Sequence, residues 1–208
     1  MKKLCTLSLL LLWSFSSFSQ SLRDSVHLKT NLFTIVYSEV LEQPKAVWYT
    51  VKCTGPGASR SGVDFYTVPG VKTSDNADYV NNEWDKGHMA PAASFNCTPE
   101  MLKATFAFTN CALQQENLNR GAWRLLELEE RKIATQTPVR VYIRLDFEKN
   151  PNQSPADFRK NPNRLPTGAT IPTGFYKEIV YGNMTECYYF PNKKPATTDY
   201  TAFKCKCR

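Results

Sequence analysis

Two early stretches, residues 32–37 and 46–53, carry β-branched and aromatic side chains in near alternation. A period of two predicts half-buried strands, and Pro44 between them predicts an antiparallel hairpin or meander. Over residues 54–77 the pattern breaks, and Gly55, Pro56, Gly57, Gly62, Pro69 and Gly70 predict a loop-rich excursion carrying Arg60 and Lys72. Over residues 119–135 the period becomes helical, with Trp123, Leu125, Leu126 and Leu128 as the apolar stripe. Glu127, Glu129, Glu130, Arg131 and Lys132 cover most of the rest of that helix, and Asn117 or Asn119 is the expected cap. Beyond Pro138, residues 139–147 alternate as a strand, whereas the five prolines of residues 150–172 predict a long surface loop. Residues 175–181 and 187–190 predict two more strands that turn back through Gly182 and Asn183. Strands, a loop, a helix and strands again, without an internal repeat, describe a single α+β domain on a mixed or antiparallel sheet.

One apolar run stands outside that pattern. Lys2 and Lys3 precede the apolar stretch from Leu7 to Trp13, and Ser17-Phe18-Ser19 places small residues where a signal peptidase reads. An apolar core of about ten residues is too short for a bilayer, which wants ~20. Residues 1–19 are therefore expected to direct export and to be cleaved near Ser19, leaving residues 20–208 as a secreted or periplasmic domain with no stable membrane association. Cys5 leaves with that leader, and the seven cysteines become six: Cys53, Cys97, Cys111, Cys187, Cys205 and Cys207. An even number suits disulfides in an oxidising compartment. Zinc is the poorer reading, since Cys205-x-Cys207 has no C-x-x-C partner and no nearby histidine. The formal charge of +7 falls to +5 without Lys2 and Lys3, and that balance favours a polyanionic partner. A hydrophobic content of 42% excludes general disorder.

The chain holds two histidines. His27 stands alone near the mature start, whereas His88 sits in Asp85-Lys86-Gly87-His88-Met89-Ala90-Pro91. A second polar cluster follows, Asn110-Cys111-Ala112-Leu113-Gln114-Gln115-Glu116-Asn117-Leu118-Asn119-Arg120-Gly121-Ala122-Trp123, continuing to Glu127 and Arg131. Together the two clusters resemble the DNA/RNA non-specific endonuclease family, a branch of the ββα-metal (His-Me finger) nucleases. The family pattern is Asp-Arg-Gly-His, then Asn-x-x-Pro-Gln-x-x-x-x-Asn-x-x-x-Trp, and Asn119 falls 31 residues after His88, close to the family separation. The match is strong from Trp84 to Arg131 and weaker outward, from Trp48 to the segment around Lys177.

The resemblance implies a ββα-metal active-site motif and assigns roles. Phosphodiester hydrolysis near neutral pH needs a base, and histidine titrates closest to that range, so His88 is the expected general base. The family uses the asparagine at position 119 as its direct ligand to Mg2+, with Mn2+ a substitute; read alone, Asn119 is a helix cap. Glu127 lies eight residues further, about 12 Å along a helix rising ~1.5 Å per residue, so it is expected to act through the metal's waters. Read alone, Glu127 is an exposed acid paired with Arg131. Lys86 replaces the motif arginine, keeping the charge without the two-pronged contact. Arg60 and Arg131 are the other expected phosphate cations, Asn110 a brace, Asp85 an orienting group for the turn, and Trp123 a core residue. Leu113 stands where the family has proline. The expected function is a secreted, Mg2+-dependent endonuclease that grips DNA and RNA through backbone phosphates without sequence preference. The alternative is a catalytically impaired, exported nucleic-acid-binding protein of the same fold.

Overall fold

The computed structural model describes residues 22–148 and 162–208. The alternating stretches form β1 (Val26–Lys29), β2 (Phe33–Ser38) and β3 (Gln43–Thr50), joined later by β6 (Val139–Asp146), β7 (Gly174–Tyr181), β8 (Met184–Pro191) and the short β9 (Lys204–Cys205). They pair in the order β1-β2-β3-β6-β7-β8-β9, antiparallel throughout. Pro44 does not separate two strands as expected. It lies inside β3 opposite Tyr37, beside a register shift between Val36 and Tyr37, an irregularity that suits its missing N–H. Gly182 opens the β7-β8 turn at φ 50°, a left-handed conformation that costs glycine little.

Two strands lie outside this sheet, β4 (Trp84–His88) and β5 (Cys111–Gln115), which pair only with each other. Helix α1 (Pro99–Ala104) lies between them in sequence, with Thr98 as its N-cap. After β5 the chain enters α2 (Glu116–Leu118), a π-type turn over Asn119–Trp123 and then α3 (Arg124–Ala134). This strand-strand-helix unit is the ββα motif that the resemblance implied.

Three details of the expected helix are corrected. It is broken at Gly121, whose φ of −101° and ψ of −115° leave the helical region, so Asn119 and Glu127 are not two turns apart on one straight helix. Its cap is Gln115, whose side-chain oxygen accepts from the N–H of Asn117 at 2.9 Å and of Leu118 at 3.1 Å; neither Asn117 nor Asn119 caps. Its faces also differ from the pattern, because Leu128 is 43% exposed while Glu130 is fully buried. Glu130 is drawn inside by Lys177 and Tyr49, which satisfy both its oxygens at 2.8 and 2.7 Å.

One face of the large sheet packs against the motif. Val47, Tyr49, Val141, Ile143 and Ile179 form one core with Leu118, Ala122, Trp123 and Leu126. Burying a side chain of this size contributes roughly 1.5–3 kcal/mol, so a handful of such contacts seats α3 on the sheet. Cys53–Cys97 and Cys187–Cys207 are disulfides, while Cys111 and Cys205 stay free, so the six expected cysteines do not all pair. Cys111 is buried in β5 behind His88, with its sulfur 3.3 Å from the Tyr79 hydroxyl. The leader over residues 1–19 and most of the proline-rich loop lie outside the described residues. Among the described residues no helix is long and apolar enough to cross a membrane.

Candidate active site

The hairpin register places Trp84 opposite Gln115, Lys86 opposite Leu113 and His88 opposite Cys111. Successive side chains on a strand point to opposite faces, so Asp85 and Gly87 share one side of β4 while Lys86 and His88 share the other. Gly87 is required by packing: a Cβ there would lie 2.6 Å from Cβ of Gln114. Leu113 also fits better than the family proline. Its N–H donates to Oε1 of Gln43 at 2.9 Å and its carbonyl accepts from Nδ2 of Asn192, and a proline would leave Gln43 without that donor.

On the His88 side, aromatic rings build a wall. His88 meets Phe65 at 5.1 Å and Phe106 at 4.9 Å between ring centroids. Arg60 lies 5.5 Å over Phe106, and the Lys86 ammonium sits 5.2 Å over Phe65 and 5.7 Å over Phe108 while also donating to Oδ1 of Asn76. Sequence position alone did not group Arg60 with the motif; the loop brings it there. Burial and the Arg60 charge hold the imidazole down to about 3, against which a hydrogen bond with the Lys86 backbone works weakly. Nε2 of His88 is shielded from solvent and has no hydrogen-bond partner. A neutral imidazole with an unspent nitrogen is what a proton acceptor requires.

On the Asp85 side, Nδ2 of Asn119 donates to Oδ2 of Asp85 at 2.8 Å, and Arg120 grips the same carboxylate through Nε at 2.9 Å and Nη2 at 2.6 Å. Asn119 spends its amide nitrogen on Asp85, so its side-chain oxygen is the end left to accept. Among the described residues no cluster of three His, Cys, Asp or Glu side chains exists to cage a metal. A hard cation at Asn119 would thus keep most of its waters, which Mg2+ prefers.

Asn110 is completely buried and used. Its Oδ1 accepts from the N–H of Ala90, and its Nδ2 donates to the carbonyls of Ala90 and Thr105, all at 2.9 Å. With the Met89 N–H on the Asn110 carbonyl, these bonds fix the backbone that leaves His88. Glu127 and Arg131 fall in a different group. Glu127 is partly buried rather than exposed, and desolvation lifts its carboxyl to about 7 despite the nearby charges of Lys177 and Arg131. Nη1 of Arg131 is buried without a partner. Beneath them, Lys177 and Glu130 form an ion pair of 2.8 Å with neither side chain exposed, and the Lys177 ammonium lies 3.9 Å from the centre of the Trp123 ring.

Arg120, Lys177, Glu130 and Gln115 carried no assigned role in the sequence. Lys177 had a usable signal: it occupies the same strand parity as Phe175 and Ile179, which turn inward, and a lysine there must be paired. Arg120 had none, since only the break at Gly121 decides which way it points.

Comparison with known proteins agrees with this fold. The chain is 35% identical over 88 residues to a mitochondrial endonuclease G from Bos taurus, covering 41% of this chain and 29% of that one. It is 31% identical over 164 residues to nuclease C1 from Cunninghamella echinulata var. echinulata, and 23% identical over 190 residues to a nuclease from Serratia marcescens. Those matches cover 74% and 86% of this chain, but 65% and 64% of the relatives, so the chain spans under two thirds of each relative's length. A crystal structure of the EndoG/EndoGI complex shares the fold, with a TM-score of 0.72 at 23% identity over 86% of this chain and 80% of that one. Residues 16–208 match the DNA/RNA non-specific endonuclease family, and the chain belongs to it.

Proposed function

We propose that this protein is an exported endonuclease that hydrolyses phosphodiester bonds in both DNA and RNA without reading sequence, and that it uses Mg2+. The observation that carries the proposal is the β4 strand itself. It presents an imidazole whose Nε2 has no partner, beside rings that Arg60 and Lys86 overlie, and its Asp85 tethers the amide nitrogen of Asn119 and leaves the asparagine oxygen to accept.

The surroundings of His88, Arg60, Lys86 and Asn119 support a task for each, and the tasks of Glu127 and Arg131 follow the family pattern. His88 is neutral at working pH and accepts the proton of the attacking water through Nε2. A bound phosphate opposes the Arg60 charge that depresses the imidazole, strengthening the base when substrate is in place. Arg60 and Lys86 hold the phosphate and stabilise charge growing on its oxygens. Asn119 would hold the cation through its side-chain oxygen, and Mg2+ there supplies charge neutralisation at the phosphate and the leaving oxygen. Glu127 would accept hydrogen bonds from water around that cation, and Arg131 would supply further positive charge. Asp85 and Asn110 position Asn119 and His88. Two disulfides and the basic leader support a secreted or periplasmic location.

The departures from the family pattern are compatible with this chemistry. Lys86 keeps its charge, and the Leu113 N–H has a partner. The test is digestion of plasmid DNA and of RNA by purified residues 20–208, with Mg2+ or with chelator, and with His88→Ala as control. Cleavage of both polymers only in Mg2+, lost in the variant, is expected. If wild-type protein leaves both whole, the alternative of an inactive binding protein stands instead.

A further inference from the structure

The face of the large sheet turned away from α3 carries a second constellation. Tyr49 and Lys177 point to Glu130 on α3, so Trp48 and Glu178, one residue along each strand, point the opposite way. Strand register places Lys29, Thr34, Trp48, Tyr142 and Glu178 in one row across five strands, with Thr50, Arg140 and Val180 in the next. Trp48 is 41% exposed and stacks on Tyr142 with ring centroids 4.9 Å apart. The pair lines an open cleft of about 600 Å³, bordered by the turn at Thr30 to Leu32 and by Lys52 and Arg140.

The charges decide what fits. Among the described residues the exposed side chains of Lys29, Lys52 and Arg140 form no ion pair or hydrogen bond, against the single acid Glu178, which accepts from the Tyr176 hydroxyl. Three unspent cations around one acid favour a polyanion. An exposed stacked indole offers a π-face to any base, and aromatic platforms flanked by cations are how proteins hold single strands without reading sequence. A duplex hides its base faces, and a neutral sugar polymer has no use for the cations.

We propose that this cleft is an accessory site for single-stranded nucleic acid, on the sheet face opposite the catalytic motif, with a base stacked on Trp48 and neighbouring phosphates on Lys52 and Arg140. Its role is to keep a polymer on the protein between cuts, and it does not depend on His88 performing catalysis.

The test uses residues 20–208 and a short fluorescein-labelled oligothymidylate in chelator, where no cleavage intrudes. Trp48→Ala should weaken binding about tenfold and Trp48→Phe should retain most of it, since stacking is lost only in the first. Lys52→Ala with Arg140→Ala, both at exposed positions, should weaken binding and flatten its salt dependence. Hydrolysis of bis-p-nitrophenyl phosphate in Mg2+, too small to reach both sites, should stay unchanged in all variants; a fall there assigns these residues to the catalytic face and overturns the proposal. Unchanged oligothymidylate affinity in Trp48→Ala overturns it as well. So does loss of self-association, or of neutral polysaccharide binding, as the only effect, because the face would then belong to a second copy or to a sugar. Failure of DNA and RNA digestion with normal oligothymidylate binding would instead remove the nuclease proposal and leave this one.

Discussion

The side-chain amide of Asn119 donates to the carboxylate of Asp85 at 2.8 Å across 34 residues of sequence. The bond joins the first strand of the motif to the turn that follows the second. It also settles which end of the amide is free, because a carboxylate accepts only from nitrogen. Arg120 occupies the rest of Asp85, so the carboxylate is spent on positioning and is not itself directed at a cation.

Asp85→Ala should therefore act through metal capture. With the amide released to rotate, the concentration of Mg2+ giving half-maximal cleavage should rise about 10–100-fold, while the rate at saturating Mg2+ recovers most of its value. A magnesium titration of plasmid cleavage checks this. A lower plateau with an unmoved midpoint would mean that Asp85 does not orient Asn119.

His88 makes a prediction about acid stability. Its imidazole is held at about 3 by burial and by Arg60, so the folded state resists protonation that the unfolded chain accepts below ~6.5. The group consequently costs stability as pH falls from ~6.5 towards 3, and costs nothing above that window. Urea unfolding in chelator should show wild type losing about 1 kcal/mol per pH unit relative to His88→Ala across that range. A difference that does not vary with pH would mean the imidazole is solvated.

Glu127 should behave with the opposite sign. Desolvation raises its carboxyl to about 7, so its contribution is present in full below ~4.5 and is lost as pH rises through 7. Relative to Glu127→Gln, wild type should lose about 1 kcal/mol per pH unit between ~5 and 7 in the same unfolding experiment. Added Mg2+ should reduce that loss if the carboxylate serves the cation's water shell. Parallel curves for the two proteins would place Glu127 in solvent.

The contrast between these residues explains what the sequence disclosed. The strands were legible because alternation records which side of a sheet is buried, and Val139 to Asp146 alternates almost without exception. The family was legible as the spacing between His88 and Asn119. The helix was misread where tertiary structure overrides pattern. Glu130 counted as surface until Lys177, on a distant strand, drew it inside, and no local periodicity encodes that partner. Gly121 lies inside the stretch that the pattern predicts as one helix, yet the chain breaks there, next to the Asn119 that reaches Asp85. Strand parity shows that Lys177 needs a partner, but a single chain's polarity does not say which residue that partner is.

Lys177→Met tests that buried pair. It leaves Glu130 charged and enclosed with only the Tyr49 hydroxyl, which should cost about 3–5 kcal/mol in chemical unfolding. Lys177→Met with Glu130→Leu should recover most of the loss, because two apolar groups need no compensation. If the single variant is as stable as wild type, the pair does not seat α3.

Lys86 decides how far the departure from the motif arginine matters. Its ammonium is held among Phe65, Tyr79 and Phe108 and donates to Asn76, so it contributes a point charge beside His88 and not a fork. Lys86→Gln should lower kcat/KM about 10–100-fold, in line with losing one donor at a developing charge. Lys86→Arg restores the planar guanidinium over the same rings and should equal or exceed wild type, with the gain in kcat rather than in KM if the second prong meets the phosphate only as charge builds. Steady-state kinetics on a defined oligonucleotide separate the two parameters. Equal rates for glutamine and lysine at position 86 would remove this side chain from the phosphate altogether.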